Sequence, residues 1–180
     1  MACESKPMNH AQPILYYLDY ASPLGLVRLQ AHKDALQAIY FASAAKQLSA
    51  LHVPTALPAE NKAERAYFDA AVRWLDQYFV DPYQTDPLPI SLNNLVGTEL
   101  QKKVWAALCT IPAGQTITYT ELAQRSERPQ AVRAVASACG KNPFSILIPC
   151  HRVIAKSGGL GGYSGGLHHK VALLEWERAT

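Results

Sequence analysis

The sequence predicts an α+β fold, in which a strand-rich N-terminal half precedes a mostly helical C-terminal half. Three short apolar runs lie between residues 14 and 41, an amphipathic period of four follows between residues 61 and 79, and helix-start patterns begin at Thr98 and Thr118. A chain of 180 residues with 49% hydrophobic composition can form one domain or two small ones. The proline-rich stretch 81–92 is typical of a linker, which predicts an α/β domain over residues 1–90 and a second domain over residues 91–180.

The predicted strands occupy residues 14–18, 26–31 and 36–41, which are rich in aliphatic and aromatic side chains. The segment SPLG at 22–25 is typical of a turn. Consecutive strands with short connections pair as an antiparallel meander, so we expect a three-stranded antiparallel sheet. Residues 1–12 are expected to form a loose tail.

One amphipathic helix is predicted over residues 61–79, where its apolar stripe would cover one face of the sheet. The stripe consists of Ala66, Ala70, Trp74 and Tyr78, widened by Phe68, Val72, Leu75 and Phe79. No residues in this half have the spacing of a catalytic or metal-binding motif. Its histidines (His10, His32 and His52) are interpreted as surface or packing residues.

Two capping boxes open the helices of the second half. Thr98 and Gln101 form the first, and the helix that follows should turn Leu100, Val104, Ala107 and Leu108 inward and end near residues 111–114. Thr118 and Glu121 form the second, at the start of a short helix through about residue 124. Pro129 is placed in the first turn of a further helix over residues 130–141. The short helix that starts at Thr118 and the helix over residues 130–141 form a candidate helix-turn-helix, which either binds DNA or is only a packing unit.

The second helix of that pair does not look like a sequence-specific one. Its segment AVRAVASAC (131–139) has Arg133 as its only long cationic side chain, and small residues allow a backbone to approach its target closely. The charge is unevenly distributed between the two halves. Residues 1–90 carry seven basic and nine acidic side chains, whereas residues 91–180 carry ten basic and five acidic ones. The basic half suggests a polyanionic partner, although a chance fluctuation on a solvated surface remains the alternative.

The run ILIPCHRV (146–153) delivers a thiol and an imidazole. Residues 146–148 are predicted to form a short buried strand, on which Cys150 and His151 would point to opposite faces, so that a proton passing between them needs a water. The alternative is that Cys150 is an inert core thiol. The run passes into SGGLGGYSGG (157–166), whose glycines allow a close approach to a ligand.

Two motif matches in that loop are rejected. The G-x-S-x-G at 162–166 lacks an acid followed by a histidine downstream, and the glycines at 159–161 have no βαβ unit after them, so neither a serine hydrolase nor a dinucleotide site is predicted. The final helix should span residues 167–178, with Leu167, Val171 and Leu174 packed and Glu177 near its end.

Compartment and metal content are inferred from what the sequence lacks. Cys3, Cys109, Cys139 and Cys150 show no Cys-x-x-Cys spacing, which argues against zinc fingers and a secreted disulfide framework. Residues 1–9 contain no apolar signal-peptide core, and no apolar run is long enough to cross a membrane. We therefore expect a cytoplasmic protein that binds no membrane, metal ion or cofactor.

Together, PCHRV (149–153), GKNP (140–143) and GYSGGL (162–167) resemble the O6-alkylguanine-DNA alkyltransferases, and the resemblance spans nearly all of residues 95–177. It implies a ribonuclease H-like N-terminal domain and a winged-helix-like C-terminal domain. It also implies a stoichiometric DNA-repair enzyme that flips a damaged nucleotide and moves the alkyl group from O6-alkylguanine, less readily from O4-alkylthymine, onto its own cysteine.

The resemblance assigns roles to five residues. Cys150 would accept the alkyl group, His151 would take its proton through a water, and Glu177 would orient His151. Tyr119 would press on the target phosphate and donate a proton toward the leaving guanine. Arg133 would fill the gap left by the flipped nucleotide.

The remaining implied contacts concern DNA and the base. Small residues of the second helix would lie in the minor groove of double-stranded DNA without sequence preference, at Ala131, Ala134, Ser137 and Ala138. The substrate pocket would include Asn142, Val153, Tyr163 and Ser164. Some family members hold zinc in the N-terminal part, but no matching ligand set occurs here, and a monomer is expected.

Departures from the family pattern are few: Leu100 stands where an aromatic residue is common, Thr118 where serine is common, and Ser145 where some members have proline. They could change the size of alkyl group accepted. The competing interpretations are a non-enzymatic alkyltransferase-like lesion binder, which the presence of Cys150 argues against, and a regulator that uses alkylated Cys150 as a signal.

Overall fold

A computed structural model describes residues 15–32, 35–44, 56–59 and 62–180 and has the predicted α+β fold. Its N-terminal sheet has the order β3-β2-β1-β4. The strands are β1 (Leu15–Ser22), β2 (Gly25–His32), β3 (Ala35–Phe41) and β4 (Ala56–Pro58). The antiparallel meander β1–β3 is confirmed, while β4, which pairs in parallel with β1, was not predicted because three residues carry no alternation. The predicted tail over residues 1–12 lies outside the described residues.

The predicted helix over residues 61–79 is two helices, α1 (Lys62–Ala66) and α2 (Asp69–Tyr78), separated by a turn at Tyr67 and the fully buried Phe68. The break rotates the second helix, so Ala66 and Ala70 are exposed and Ala71 is buried in their place. Trp74, Leu75 and Tyr78 are buried as predicted. The helix packs on the sheet through β1, because the ring of Tyr20 stacks on Phe79 and its hydroxyl donates to Asp76 at 2.8 Å.

The C-terminal half contains four helices and a two-stranded parallel pair. They are α3 (Glu99–Leu108), β5 (Ile117–Thr118), α4 (Tyr119–Arg125), α5 (Val132–Gly140), β6 (Val153–Ile154) and α6 (Leu167–Ala179). Both capping boxes are present, with reciprocal side-chain to backbone bonds at Thr98–Gln101 and Thr118–Glu121. Pro129 does not lie in the first turn of α5. It belongs to the turn before that helix, where Glu127 has φ +57° and the Arg128 amide still bonds to Ala123 of α4.

Residues 146–148 form a buried turn, so the predicted strand is wrong. Ile146 has φ +72°, and the Ile148 amide bonds back to the Phe144 carbonyl at 2.9 Å. The sheet pairing is made just upstream, where the backbone of Ile39 bonds to Pro143 and Ser145 at 2.8 Å each. Cys150–Arg152 is a single turn of 3-10 helix, so the opposite-face argument for an extended segment does not hold.

The larger cluster of buried apolar side chains includes residues of both halves, from Val27 and Leu29 of β2 through Leu75 of α2 to Val104 of α3 and Leu173 of α6. The boundary between residues 90 and 91 therefore stays a prediction. No helix in the described part of the chain is long and apolar enough to span a bilayer.

Candidate active site around Cys150

Cys150 begins the 3-10 turn and is only 4% exposed. The buried side chain of Asn142 lies beside it and donates from Nδ2 to Cys150 Sγ at 3.1 Å and to the Ile148 carbonyl at 2.7 Å. Asn142 Oδ1 accepts from the Phe144 amide at 2.9 Å. Because Asn142 follows α5 directly, these bonds join the end of the helix-turn-helix to the thiol.

The thiol has two opposing influences on its charge. Burial raises the pKa of Cys150, while the hydrogen bond from Asn142 and the charge of Lys170 oppose that shift. Lys170 of α6 is itself fully buried and donates from Nζ to the Val153 carbonyl at 2.5 Å and to the Leu160 carbonyl. Sequence analysis missed Lys170, because α6 buries His169, Lys170, Leu173 and Glu177 and leaves the predicted contact Leu167 exposed.

His151 is fully buried next to Glu177, with Nε2 at 2.9 Å from Glu177 Oε1. Burial lowers the pKa of His151, and the bond to Glu177 works in the opposite direction. Since a carboxylate only accepts, Nε2 carries the proton and Nδ1 holds the free lone pair. Nδ1 bonds to no protein group in the described chain. This tautomer leaves His151 able to take a proton at Nδ1.

Glu177 is the centre of a buried network. Arg152 donates from Nη2 to Oε1 at 2.7 Å and from Nε to Oε2 at 3.0 Å, and the Gly114 amide donates to Oε2 at 3.0 Å. Tyr78 of α2 donates its hydroxyl to Oε1 at 2.7 Å. Burial alone would raise the pKa of Glu177, but the bonds and charges of His151 and Arg152 outweigh it and hold the pKa low. The carboxylate is therefore a fixed negative charge.

Two side chains of this network were not among the predicted site residues. Arg152 also donates from Nη1 to the Ile111 carbonyl at 2.5 Å, which anchors the turn. Its charge inside the apolar run 146–153 could have marked it. Tyr78 was interpreted only as part of an apolar stripe, because helical spacing predicts that its ring is buried but not which group its hydroxyl bonds to.

The glycine-rich loop lies close to two aromatic rings. A Cβ at Gly161, where φ is +66°, would come within 3.0 Å of the ring of Tyr119, and one at Gly165 within 2.6 Å of the ring of Tyr163. Burial raises the pKa of Tyr119 to about 12, with further contributions from Cys139 and Cys150. Burial also raises the pKa of Tyr163, with Cys150 contributing. Both phenols therefore keep their protons, and Ser164 lies half-buried between Tyr163 and Gly165.

The outer face of α5 carries three of the five DNA contacts predicted on that helix. Arg133, Ala134 and Ser137 are exposed, while Ala131 lies half-buried just before the helix. Ala138 does not belong with them. It is 4% exposed, and its carbonyl accepts from Trp105 Nε1 of α3 at 3.1 Å. In the described ranges no cluster of three or more His, Cys, Asp or Glu side chains could hold a metal ion.

We expect Asn142→Ala to lower the free energy of unfolding by about 2–3 kcal/mol, because it leaves the Ile148 carbonyl and the Phe144 amide without their partners. It should also raise the pKa of Cys150, since a donor to the sulfur is lost. Urea denaturation and the pH dependence of thiol alkylation measure the two effects. Asn94→Ala, at an exposed asparagine, is the control, and an unchanged thiol pKa would contradict the electrostatic part.

Comparison with known proteins gives consistent matches. The family model for the DNA-binding domain of 6-O-methylguanine DNA methyltransferase matches residues 99–179. The methylated-DNA–protein-cysteine methyltransferase of Methanosarcina barkeri is 37% identical over 163 residues, which cover 91% of this chain and 97% of the relative. That of Mycobacterium bovis is 36% identical over 166 residues, covering 92% and 94%.

Solved structures agree with the sequence matches. The crystal structure of Mycobacterium tuberculosis O6-methylguanine methyltransferase superimposes with a TM-score of 0.72 at 36% identity, covering 92% of this chain and 94% of that one. The structure of Mycobacterium tuberculosis OGT in complex with DNA gives 0.71 at 36% identity, covering 91% and 93%.

Proposed function

The chain belongs to the methylated-DNA–protein-cysteine methyltransferase family, and we propose that Cys150 is the residue that receives the alkyl group. The protein binds DNA and repairs it by direct transfer of an alkyl group from damaged guanine to itself. One observation supports the assignment to Cys150 above all others. Its sulfur accepts a hydrogen bond from Asn142 at 3.1 Å, and the next residue is His151, whose free lone pair is on Nδ1.

In the proposed reaction, His151 Nδ1, which bonds to no protein group in the described chain, takes the proton of Cys150 through one water. The thiolate attacks the alkyl carbon on O6 of guanine, so a carbon–sulfur bond forms while the carbon–oxygen bond breaks and its electron pair stays on O6. Glu177 stabilises the positive charge on His151 through Nε2. Tyr119, which keeps its proton, donates toward the leaving guanine. The thioether has no good leaving group, so each molecule acts once.

The target base must leave the stack before the thiol can reach it, at a cost of a few kcal/mol. We propose that the outer face of α5 enters the minor groove without sequence preference, with Ala131, Ala134 and Ser137 against the backbone and Arg133 in the gap. Asn142, Val153, Tyr163 and Ser164 would then line the pocket for O6-alkylguanine and, less readily, O4-alkylthymine. We also propose a monomer in the cytoplasm, where free thiols such as Cys109, Cys139 and Cys150 stay reduced.

Arg133→Ala is expected to slow repair of duplex DNA by about tenfold or more, and to leave the reaction with free O6-methylguanine base unchanged, since only the duplex requires flipping. Single-turnover rates on both substrates measure the difference. Arg73→Ala, at an exposed arginine of α2, should affect neither rate. Equal losses on duplex and free base would remove Arg133 from this role.

The proposed function is tested by the mass of the intact protein after mixing with a duplex that carries one O6-methylguanine, followed by peptide mapping. A single added methyl group on Cys150, with no second addition in excess substrate, is the expected result. A methyl group on another residue would overturn the assignment. An unchanged mass together with tight binding of the damaged duplex would indicate a non-enzymatic lesion binder.

A further inference from the structure

Tyr78 connects the N-terminal half of the chain to the site around Cys150. Its side chain is fully buried on α2, where its ring stacks on Trp74 at 5.6 Å and meets Phe79 edge-on at 5.1 Å. Its hydroxyl donates to Glu177 Oε1 at 2.7 Å. This is the same carboxylate oxygen that accepts from His151 Nε2 at 2.9 Å.

We propose that Tyr78 is a positioning residue, whose hydroxyl shares Glu177 Oε1 with His151 and so sets the pH range over which His151 accepts the Cys150 proton. This inference rests on the proposed function. Within the described residues the hydroxyl of Tyr78 bonds to Glu177 and not to Cys150, so it acts through Glu177. Burial raises the pKa of Tyr78 above its usual range, so the hydroxyl is a donor at every pH at which the enzyme would work.

The direction of the effect follows from the donors on one oxygen. Oε1 accepts from Tyr78, from His151 and from Nε and Nη2 of Arg152. Each donor stabilises the anion, and these donors compete for the few lone pairs of one oxygen, so each one weakens the bonds that Oε1 makes to the others. Without the hydroxyl of Tyr78, the carboxylate should interact more strongly with the N–H of His151 and favour the imidazolium. His151 would then keep its proton up to a higher pH, so it could accept the Cys150 proton only above that pH.

No other change of charge accompanies the loss of this hydroxyl. The titratable and charged groups around His151 come from three parts of the chain, and all of them stay in place. They are Cys150 and Arg152 of the 3-10 turn, Glu177 and Lys170 of α6, and Tyr163 of the loop, which interacts with Cys150 and Glu177. A shift in the pH dependence on removing the hydroxyl would therefore report its bond to Glu177.

The experiment measures the single-turnover rate of methyl transfer against pH for the full chain and for Tyr78→Phe. In Tyr78→Phe the rising limb of the rate–pH curve is expected to move to higher pH by roughly half a unit. At a pH below that rise the rate should be about threefold slower than in the wild type, while the plateau at higher pH should be the same. Tyr83→Phe is the matched control. Tyr83 also donates its hydroxyl to Glu177, at 2.5 Å, but to the backbone carbonyl, so its removal should leave the limb in place.

An unmoved limb in Tyr78→Phe, even with lowered stability, would show a packing role only and overturn the proposal, as would a shift to lower pH. If Tyr78→Phe does not fold by circular dichroism, 3-fluorotyrosine placed at position 78 keeps the ring shape and strengthens the donor. The limb must then move to lower pH, and no movement again overturns the proposal. Failure of the wild-type chain to carry methyl on Cys150 would overturn the proposed function instead, so the two failures are distinguishable.

Discussion

Cys150→Ala should abolish methyl transfer and still bind a duplex carrying O6-methylguanine within about tenfold of the wild-type affinity. The substitution removes the sulfur that is proposed to form the thioether, whereas the proposed DNA contacts lie on the outer face of α5. The fold should persist, because Asn142 keeps its bonds to the Ile148 carbonyl and the Phe144 amide. Intact mass after incubation measures transfer, and fluorescence anisotropy measures binding.

Cys109→Ala is the matched control for that experiment. Cys109 is a half-buried free thiol whose pKa burial raises to about 11, so it stays protonated and unreactive at neutral pH. This variant should carry one methyl group per chain, like the wild type. Methyl appearing on the Cys150→Ala chain at the wild-type rate would assign the acceptor to another residue.

Glu177→Gln is the second change with a large expected effect, on stability as well as on rate. It leaves the buried guanidinium of Arg152 without its counter-charge, and breaking a buried pair from one side costs about 3–5 kcal/mol. It also removes the anion that stabilises His151 in its charged form, so transfer should slow by about 100-fold. Urea denaturation and single-turnover rates measure the two losses.

Glu175→Gln, at an exposed glutamate two residues earlier on α6, should change neither quantity measurably. A loss of less than about 1 kcal/mol in Glu177→Gln would mean that the network contributes little to the folded state. The pH dependence gives a separate check. Because the pKa of Glu177 is lowered in the folded state, its contribution is present above the unfolded pKa and is lost as pH falls toward the folded one. The stability gap between the two proteins should therefore narrow in acid.

Local sequence predicted the starts of α3 and α4 well. Thr98 with Gln101 and Thr118 with Glu121 each form their capping box within four residues, so the signal that starts the helix is entirely local. The predicted strand at residues 146–148 failed for the opposite reason. A left-handed Ile146 is uncommon for a β-branched residue, and only the pairing of β3 with residues 143 and 145 places the chain so that it turns there.

The candidate site was predictable where side chains are close in sequence to the thiol and not where tertiary structure brings them there. His151 and Asn142 fall within the motifs around Cys150, and Glu177 was assigned by resemblance alone. Lys170 and Tyr78 occupy buried faces of helices, where periodicity predicts burial but not the polar group that each one meets.

The bond from Tyr78 to Glu177 closes a loop of 99 residues, so it bears on the order in which the chain folds. Contacts between distant residues form slowly, because the entropy of closing the loop is lost before the contact stabilises anything. Helices α3 to α5, which need only near neighbours, should form before α6 docks on α2. A chain in which α6 has not yet docked contains Cys150 without a base oriented beside it. We infer that reactivity toward DNA is acquired in the last steps of folding, so a partly folded chain would not consume its single acceptor.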